Sequence, residues 1–333
     1  MKKILITALL LVTVNLAGAQ ISVFSTFINA HINPDIKKQI EPLNKKLIEN
    51  LASKNTPGVK QLMSPVVIER SGDKLSAIVD TISNGMRSAE YSIIDEYYTI
   101  NTATNARNTL TTGMDNNSGY FINYQALNKE MFTALLAIKN ETTTLMILAI
   151  YGKYDDGWKL NILNAGAYQL SGKTAQDYYN EAKKHYDNDE LLDATDEMVL
   201  AARIGTPGGR YFSYKNLEIM NAFREKVIKE ANQKYKLPIS IDDIKTHPQI
   251  FSVVPQYISG PDGGFFPYVA YKSNIDLNDT TALKAENDAL QKATAVIFKG
   301  ITQNNRYILY RAFRDLPGPT ASKESYGFVQ KVQ

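Results

Sequence analysis

Tyrosines beside carboxylates are the residues of this chain whose types and spacing could support catalysis. Asp95 and Glu96 stand directly before Tyr97 and Tyr98. A tyrosine and an aspartate in contact can serve as an acid–base pair if one of them titrates near the working pH. The surrounding residues alternate, however, and this pattern fits a strand whose acidic face is exposed to water better than it fits a catalytic pair. The sequence favours the strand, so no catalytic residue is assigned.

Aromatic residues with polar tips are common in the chain, which has 20 Tyr and one Trp among 333 residues. Such side chains suit a binding pocket that is partly wet. They are also frequent in strands, and this alone would explain their number. If the chain has a ligand pocket, we expect six aromatic residues to line it: Tyr91, Tyr97, Tyr98, Tyr120, Tyr124 and Trp158.

Metal and thiol chemistry are not expected. The chain has no cysteine, which excludes disulfides, thiolate catalysis and cysteine ligands for a metal. Its three histidines, His31, His185 and His247, lie far apart, and none stands in an HExxH spacing. We therefore predict no metal site and no cofactor, with a fold that rests on apolar packing alone.

The charge balance argues against nucleic acid as a partner. The whole chain has a formal charge of +3, and removing Lys2 and Lys3 with a leader leaves about +1. Binding to a phosphate backbone requires a basic stripe that displaces counterions. Proteins and small molecules remain open as partners.

The first 19 residues have the build of a secretory signal peptide. Lys2 and Lys3 give a basic start, residues 4–16 are an apolar run, and Ala17-Gly18-Ala19 supplies small residues for cleavage. The alternative is a membrane anchor, but the run is shorter than the ~20 apolar residues that span a bilayer. We predict cleavage near Ala19, a periplasmic or secreted protein, and no stable membrane insertion afterwards.

The elements that must position these residues begin with helices. Asn33-Pro34-Asp35 is typical of a helix start, and an apolar stripe at spacings of three and four continues to residue 54. From residue 89 the period changes to two. The clearest strand pair, residues 142–154 and 158–168, flanks a turn at Asp155-Asp156-Gly157. The first of these strands is apolar on both faces, which predicts a sheet that is covered on both sides.

Helices followed by a meander of long antiparallel strands resemble the nuclear-transport-factor-2-like fold, over about residues 35–170. The most specific part is YDDGWKLNIL, residues 154–163. The resemblance implies a curved sheet that wraps around helices as a cone, with a small-molecule pocket at its mouth. Enzymes of the family place an Asp-His or Tyr-Asp pair there. Here His31 precedes the first helix, so a Tyr-Asp pair would have to come from residues 95–98.

Residues 173–237 are expected to be helical, starting at Thr174 with Asp177 three residues on. Small residues at regular spacing let two helices pack closely around a turn at residues 187–189. This spacing is carried by Tyr178, Ala182, Ala194, Met198 and Ala201. It resembles one tetratricopeptide unit, although His185 stands where that family has Tyr, and no second copy follows. The resemblance implies a helical hairpin that connects two parts or docks a partner protein.

The last part of the chain returns to strands. Residues 250–258 and 265–272 flank a glycine-rich turn, a helix follows from residue 278 or 279, and residues 306–313 complete a β-β-α-β unit. The predicted fold class is α+β: N-terminal helices packed on a curved antiparallel sheet, a central helical hairpin and the C-terminal β-β-α-β unit. The predicted boundaries are signal peptide 1–19, linker 20–34, cone-like α+β domain 35–172, helical segment 173–237, small α+β unit 238–316 and flexible tail 317–333.

Two functions fit these residues. The first is an exported, non-catalytic binding or scaffold protein of the bacterial cell envelope, because the chain resembles docking modules and shows no nucleophile–base pair. The alternative is a small-molecule lyase, isomerase or hydrolase that uses the cone pocket, with a carboxylate of raised pKa as its acid or base. An open cavity with a carboxylate beside tyrosine favours the enzyme, whereas an exposed apolar groove favours docking.

Overall fold

The computed structural model describes residues 24–112, 119–260 and 262–332. The predicted signal peptide lies outside these residues. The helices are α1 (Pro34–Ala52), α2 (Thr56–Leu62), α3 (Pro65–Ser71), α4 (Lys74–Asn84), α5 (Ala175–Asp187), α6 (Leu191–Arg203), α7 (Leu217–Tyr235), α8 (Thr280–Ile297) and α9 (Ile301–Asn304). No described helix has the length and apolar character needed to cross a bilayer.

The strands confirm the predicted α+β class. They are β1 (Phe24–Ile28), β2 (Ser92–Asn101), β3 (Ala106–Thr111), β4 (Tyr120–Ala126), β5 (Glu130–Lys139), β6 (Thr143–Tyr154), β7 (Gly157–Leu170), β8 (Phe212–Tyr214), β9 (Ile239–Ser240), β10 (Gln249–Ile258), β11 (Gly264–Lys272), β12 (Tyr307–Phe313) and β13 (Ser325–Lys331).

The main sheet is antiparallel and has the strand order β1-β2-β5-β6-β7. Residues 145–152 of β6, which lies between β5 and β7, are all buried. Successive side chains of a strand point to opposite faces. The burial of every residue in this run therefore confirms that the sheet is covered on both sides.

Helices α1–α4 cover one face of the main sheet. The side chain of Asn33 accepts a hydrogen bond from the backbone nitrogen of Asp35 at 2.9 Å, and Pro34 occupies the first helical position of α1. This N-cap is the one that the sequence predicts. The buried apolar stripe of α1, which packs in the core on this face, consists of Ile40, Leu47, Ile48 and Leu51.

The opposite face is covered by a small antiparallel sheet of order β3-β4-β8 and by the helical hairpin α5–α6. Met146 and Leu148 of β6 share one core with Ile122 of β4, Phe212 of β8 and Ala182 of α5. Strand β4 therefore lies on the face of the main sheet instead of extending it. Because this core joins residues on both sides of position 172, the predicted boundary there does not separate two cores.

The C-terminal unit contains the predicted β-β-α-β order in β10, β11, α8 and β12. Its sheet has the order β13-β12-β11-β10-β9, and β11 pairs in parallel with β12. A parallel pair needs a long crossover connection, which α8 supplies. Leu283 and Leu290 of α8 pack on this sheet together with Val227 of α7.

Two segments that the sequence analysis leaves outside the fold contain strands. The predicted linker 20–34 contains β1, which pairs with β2 from Phe24↔Asn101 to Ile28↔Tyr97. The predicted flexible tail 317–333 contains β13, whose seven residues pair with β12. Both predictions are wrong for these residues, because each segment is held by hydrogen bonds to another strand: β1 to the distant β2, and β13 to β12, the strand before it in the sequence.

A buried tyrosine in the C-terminal unit gives a pH prediction. Burial raises the pKa of Tyr310 to about 12, whereas an unfolded tyrosine titrates near pH 10. The neutral hydroxyl therefore stabilises the fold below pH 10, and this contribution is lost as the pH rises through 12. Between pH 9 and 12 we expect the wild type to lose roughly 2 kcal/mol of unfolding free energy relative to Tyr310→Phe.

Urea unfolding at stepped pH values measures this difference. Tyr326→Phe is the control, because Tyr326 lies in the same sheet but is 36% exposed. A wild-type curve that stays parallel to that of Tyr310→Phe up to pH 12 would contradict the prediction.

Candidate functional site

The six aromatic residues predicted to line a pocket do not converge on one cavity. Tyr97, Tyr120 and Tyr124 lie in the core between the main and small sheets, and Tyr91, Tyr98 and Trp158 lie with the core beneath α1–α4. Neighbouring residues of β2 point to opposite faces, which separates the pair at positions 97 and 98. Four surface cavities that the described residues form are lined by none of the six.

A tyrosine–aspartate pair does form between the main and small sheets, with a different tyrosine from the one expected. The Tyr120 hydroxyl of β4 donates a hydrogen bond to Asp95 Oδ2 of β2. The Tyr97 and Tyr120 hydroxyl oxygens are 3.0 Å apart. Asn29 Nδ2 donates to Asp95 Oδ1 at 2.7 Å. The small sheet thus brings Tyr120 onto the acidic residue that the sequence places beside Tyr97.

The prediction that this segment has an exposed acidic face is wrong. Glu96 is only 4% exposed, and its Oε2 lies 2.7 Å from Lys37 Nζ of α1. Asp95 is half-buried. Both carboxylates are held by partners from elements that are distant in sequence, and local alternation cannot indicate such partners.

The electrostatics of this network favour a structural role. Burial raises the pKa of both Tyr97 and Tyr120, and for Tyr120 the neighbouring Tyr97 and Asp95 raise the pKa further. Both phenols therefore keep their protons near neutral pH. General acid–base catalysis needs a pKa near the working pH. The hydroxyls here act as fixed hydrogen-bond donors that join the two sheets.

Removing the central hydroxyl tests this role. We expect Tyr120→Phe to lower the free energy of unfolding by about 1–3 kcal/mol, because Asp95 Oδ2 and the Tyr97 hydroxyl each lose a partner. Denaturant unfolding measures the change. The matched control is Tyr235→Phe, because the buried Tyr235 hydroxyl has no hydrogen-bond partner among the described residues. Equal effects in the two variants would contradict the role of the network.

A second group of polar side chains lies at the tip of the hairpin α5–α6. His185 is in the last turn of α5, Glu190 is the N-cap residue of α6, and Asp193 is in the first turn of α6. His185 Nδ1 and Glu190 Oε2 are 2.7 Å apart. One ligand atom from each of the three residues lies within 4.8 Å of those of the other two.

A residue of the C-terminal unit completes this group. Asn304 Nδ2 lies 3.0 Å from both Glu190 Oε2 and Asp193 Oδ2, and 3.4 Å from His185 Nδ1. Asn305 Nδ2 also donates to Asp193 Oδ1 at 2.9 Å. We refer to His185, Glu190, Asp193 and Asn304 as the hairpin-tip cluster. It fastens the hairpin to the segment around α9.

Two further carboxylates lie on α6, one turn beyond Asp193. Asp196 is 9% exposed, and its Oδ2 has no hydrogen-bond partner among the described residues. Burial, followed by the nearby Asp193 carboxylate, raises the pKa of Asp196 well above its ordinary value. Burial raises the pKa of Glu197 to about 7, although the positive charge of Lys173 opposes the shift. The hairpin therefore withdraws several acidic groups from water.

Sequence reasoning missed the hairpin-tip cluster because it looked for ligands within a single helix. The pattern His-x4-Glu-x2-Asp from His185 to Asp193 spans the predicted turn at residues 187–189. Folding that predicted hairpin would have placed the three residues together. Asn304 is 111 residues from Asp193 and has no local signal.

A surface groove runs between α6 and α7. It has a volume of about 700 Å³, and a smaller cavity of about 110 Å³ shares two lining residues, Ala202 and Arg224, with it. We call the larger cavity the α6–α7 groove. Its lining residues are Val199, Ala202, Arg224, Glu225, Ile228, Lys229, Asn232 and Gln233.

Comparison with protein-family models, with curated proteins and with solved structures finds no match to this chain. The resemblances to the nuclear-transport-factor-2-like fold and to a tetratricopeptide unit stay predictions. The case for a function rests on the geometry of this chain.

Proposed function

We propose that this chain is an exported, non-catalytic binding protein of the bacterial cell envelope, which docks a segment of a partner protein in the α6–α7 groove. The observation that carries the proposal is the groove, which lies on the helical segment for which the sequence leaves two roles open, connecting and docking. Export is supported by the signal-peptide pattern of residues 1–19.

The residues that line the α6–α7 groove indicate the chemistry of the partner segment. Val199 and Ile228 are half-buried and form an apolar floor, and Ala202 is small and exposed. Arg224 and Lys229 place two positive charges in the lining, and Glu225 places one negative charge there, so the balance is positive. Complementary charge across an interface favours the correct partner. The lining suits an amphipathic helix whose apolar side chains are flanked by acidic residues, since such helices bind in grooves.

The alternative, a lyase, isomerase or hydrolase in the first domain, has less support. Its acid–base pair would be Tyr120 and Asp95, and the raised pKa of Tyr120 keeps that phenol protonated at neutral pH. Tyr120 packs in the core between two sheets. These observations favour binding over catalysis.

A photo-crosslinking residue at position 202 tests the proposal in cells. We expect one discrete covalent adduct, and mass spectrometry should identify in it a protein that also co-purifies with the unmodified chain. Ile228→Glu adds a negative charge to the apolar floor and should repel an acidic partner segment. We expect recovery of the partner to fall at least tenfold in this variant.

Ile219→Glu is the matched control for this experiment. Ile219 lies on the same helix and is 61% exposed, but it does not line the groove. Recovery of the partner should be unchanged in the control. Unchanged recovery with Ile228→Glu, or an equal loss in both variants, would overturn the proposal.

A further inference from the structure

We propose that the hairpin-tip cluster binds one divalent transition-metal ion, best matched by Zn²⁺, through His185 Nδ1, Glu190 Oε2 and Asp193 Oδ2. This site is separate from the α6–α7 groove and does not depend on the proposed function. It revises the expectation, drawn from histidine spacing, that the chain has no metal ligands.

The types and positions of the donor atoms fit such an ion. One imidazole nitrogen and two carboxylate oxygens form a mixed set that Zn²⁺ accepts, whereas Ca²⁺ and Mg²⁺ prefer oxygen alone. Zn²⁺ holds its ligands at about 2.0–2.2 Å, which places tetrahedral ligand atoms roughly 3.4 Å apart. The three atoms already lie within 4.8 Å of one another, so small side-chain rotations complete the geometry.

The contacts of Asn304 point to the same position for a cation. Its amide nitrogen lies 3.0–3.4 Å from all three ligand atoms. Its two hydrogens are donated to the Glu190 and Asp193 carboxylates, while His185 Nδ1 donates its own proton to Glu190. The Asn304 nitrogen, which carries partial positive charge, thus lies where a cation would contact both carboxylates. Rotating the amide by half a turn would present Oδ1 to an ion at the cluster as a fourth ligand and third oxygen.

An unpartnered buried carboxylate gives independent support. Asp196 lies one turn after Asp193 on α6, is nine-tenths buried, and has no hydrogen-bond partner for Oδ2 among the described residues. Asp193 is the charged neighbour with the largest effect on Asp196. A buried carboxylate without compensation is costly. A cation bound at Asp193 would offset the negative charge of both residues.

The backbone at Gly300 packs directly against the hairpin-tip cluster. Gly300 precedes α9, and a Cβ atom built on it would lie 2.6 Å from Asp193 Oδ2 and 2.8 Å from Asn304 Nδ2. Any side chain at this position would therefore fill the space beside the proposed ligands. The ion would join the hairpin, which supplies three ligands, to α9, which supplies the fourth.

Metal titration of the exported chain, after treatment with a chelator, tests the proposal. With Zn²⁺ and a chromophoric chelator as competitor, we expect saturation at about one equivalent. At a hundredfold excess of Zn²⁺ over its Kd, we expect Tm to rise by roughly 5 °C. Ca²⁺ and Mg²⁺ should give neither effect. Saturable Ca²⁺ binding without Zn²⁺ binding would overturn the assignment.

Substitutions locate the ion. His185→Phe and Glu190→Gln should each weaken Zn²⁺ binding at least tenfold. His247→Phe is the matched control, because His247 also faces a carboxylate, with Nδ1 3.7 Å from Asp242 Oδ1, but both side chains are exposed. If His185→Phe does not fold, Zn²⁺ binding by the near-isosteric Glu190→Gln variant decides whether the cluster holds the ion. Zn²⁺ binding that survives Glu190→Gln unchanged, or that His247→Phe removes, would overturn the proposal.

Discussion

We expect Glu197→Gln to raise the free energy of unfolding by roughly 2–3 kcal/mol when chelator-treated protein is measured at pH 8. In the folded chain, burial raises the pKa of Glu197 from the ordinary 4.5 to about 7. A raised pKa means that the protonated carboxyl favours the fold. That contribution is present below pH 4.5 and is lost as the pH rises through 7. Glutamine keeps the shape and never ionises.

Urea unfolding at pH 4, 6 and 8 measures the effect. The gain over wild type should be small at pH 4 and should grow towards pH 8. The charged groups that act on Glu197 are Lys173, Glu181, His185 and Asp193. Glu69→Gln is the control, because Glu69 of α3 is exposed and is not among the charged groups that act on Glu197. A gain that is equal at all three pH values would exclude titration of Glu197 as the cause.

The second large effect is expected at Gly166 in β7. A Cβ atom at this position would lie 2.5 Å from the carbonyl oxygen of Pro207 and 3.0 Å from its Cα. Both are backbone atoms, so they cannot rotate away as a side chain would. We expect Gly166→Ala to lower the free energy of unfolding by about 2–3 kcal/mol, because the loop after α6 must move off the sheet.

Denaturant unfolding also measures this prediction. Gly327→Ala is the matched control, since Gly327 lies in strand β13 and a Cβ there would meet no atom closer than 3.9 Å. The control should change stability by less than about 0.5 kcal/mol. Similar losses in the two variants would mean that the contact with Pro207 does not set the cost, since the loss of unfolded-chain freedom on replacing Gly by Ala is itself stabilising.

The sequence predicts those features of the fold that local residue patterns determine. The two apolar faces of β6 indicate its buried position, and the predicted helix start at Thr174 is a capping box with Asp177. What the sequence misses depends on long-range pairing. The Tyr120–Asp95 bond joins residues 25 positions apart across two sheets, and no spacing rule indicates it. Strand β1, at the start of the described chain, is missed for the same reason, because its partner β2 lies far along the sequence.

The order in sequence of the elements that cover the second face of the main sheet has a consequence for folding during synthesis. Helices α1–α4 precede most of the sheet in sequence, but the hairpin α5–α6 and β8 follow it. Strands β3 and β4 of the small sheet precede β6, so during synthesis Met146 and Leu148 stay only partly covered until residues up to about 214 have emerged. A nascent chain that ends near residue 172 should aggregate readily and depend on chaperones, whereas a chain that includes β8 can bury this apolar surface.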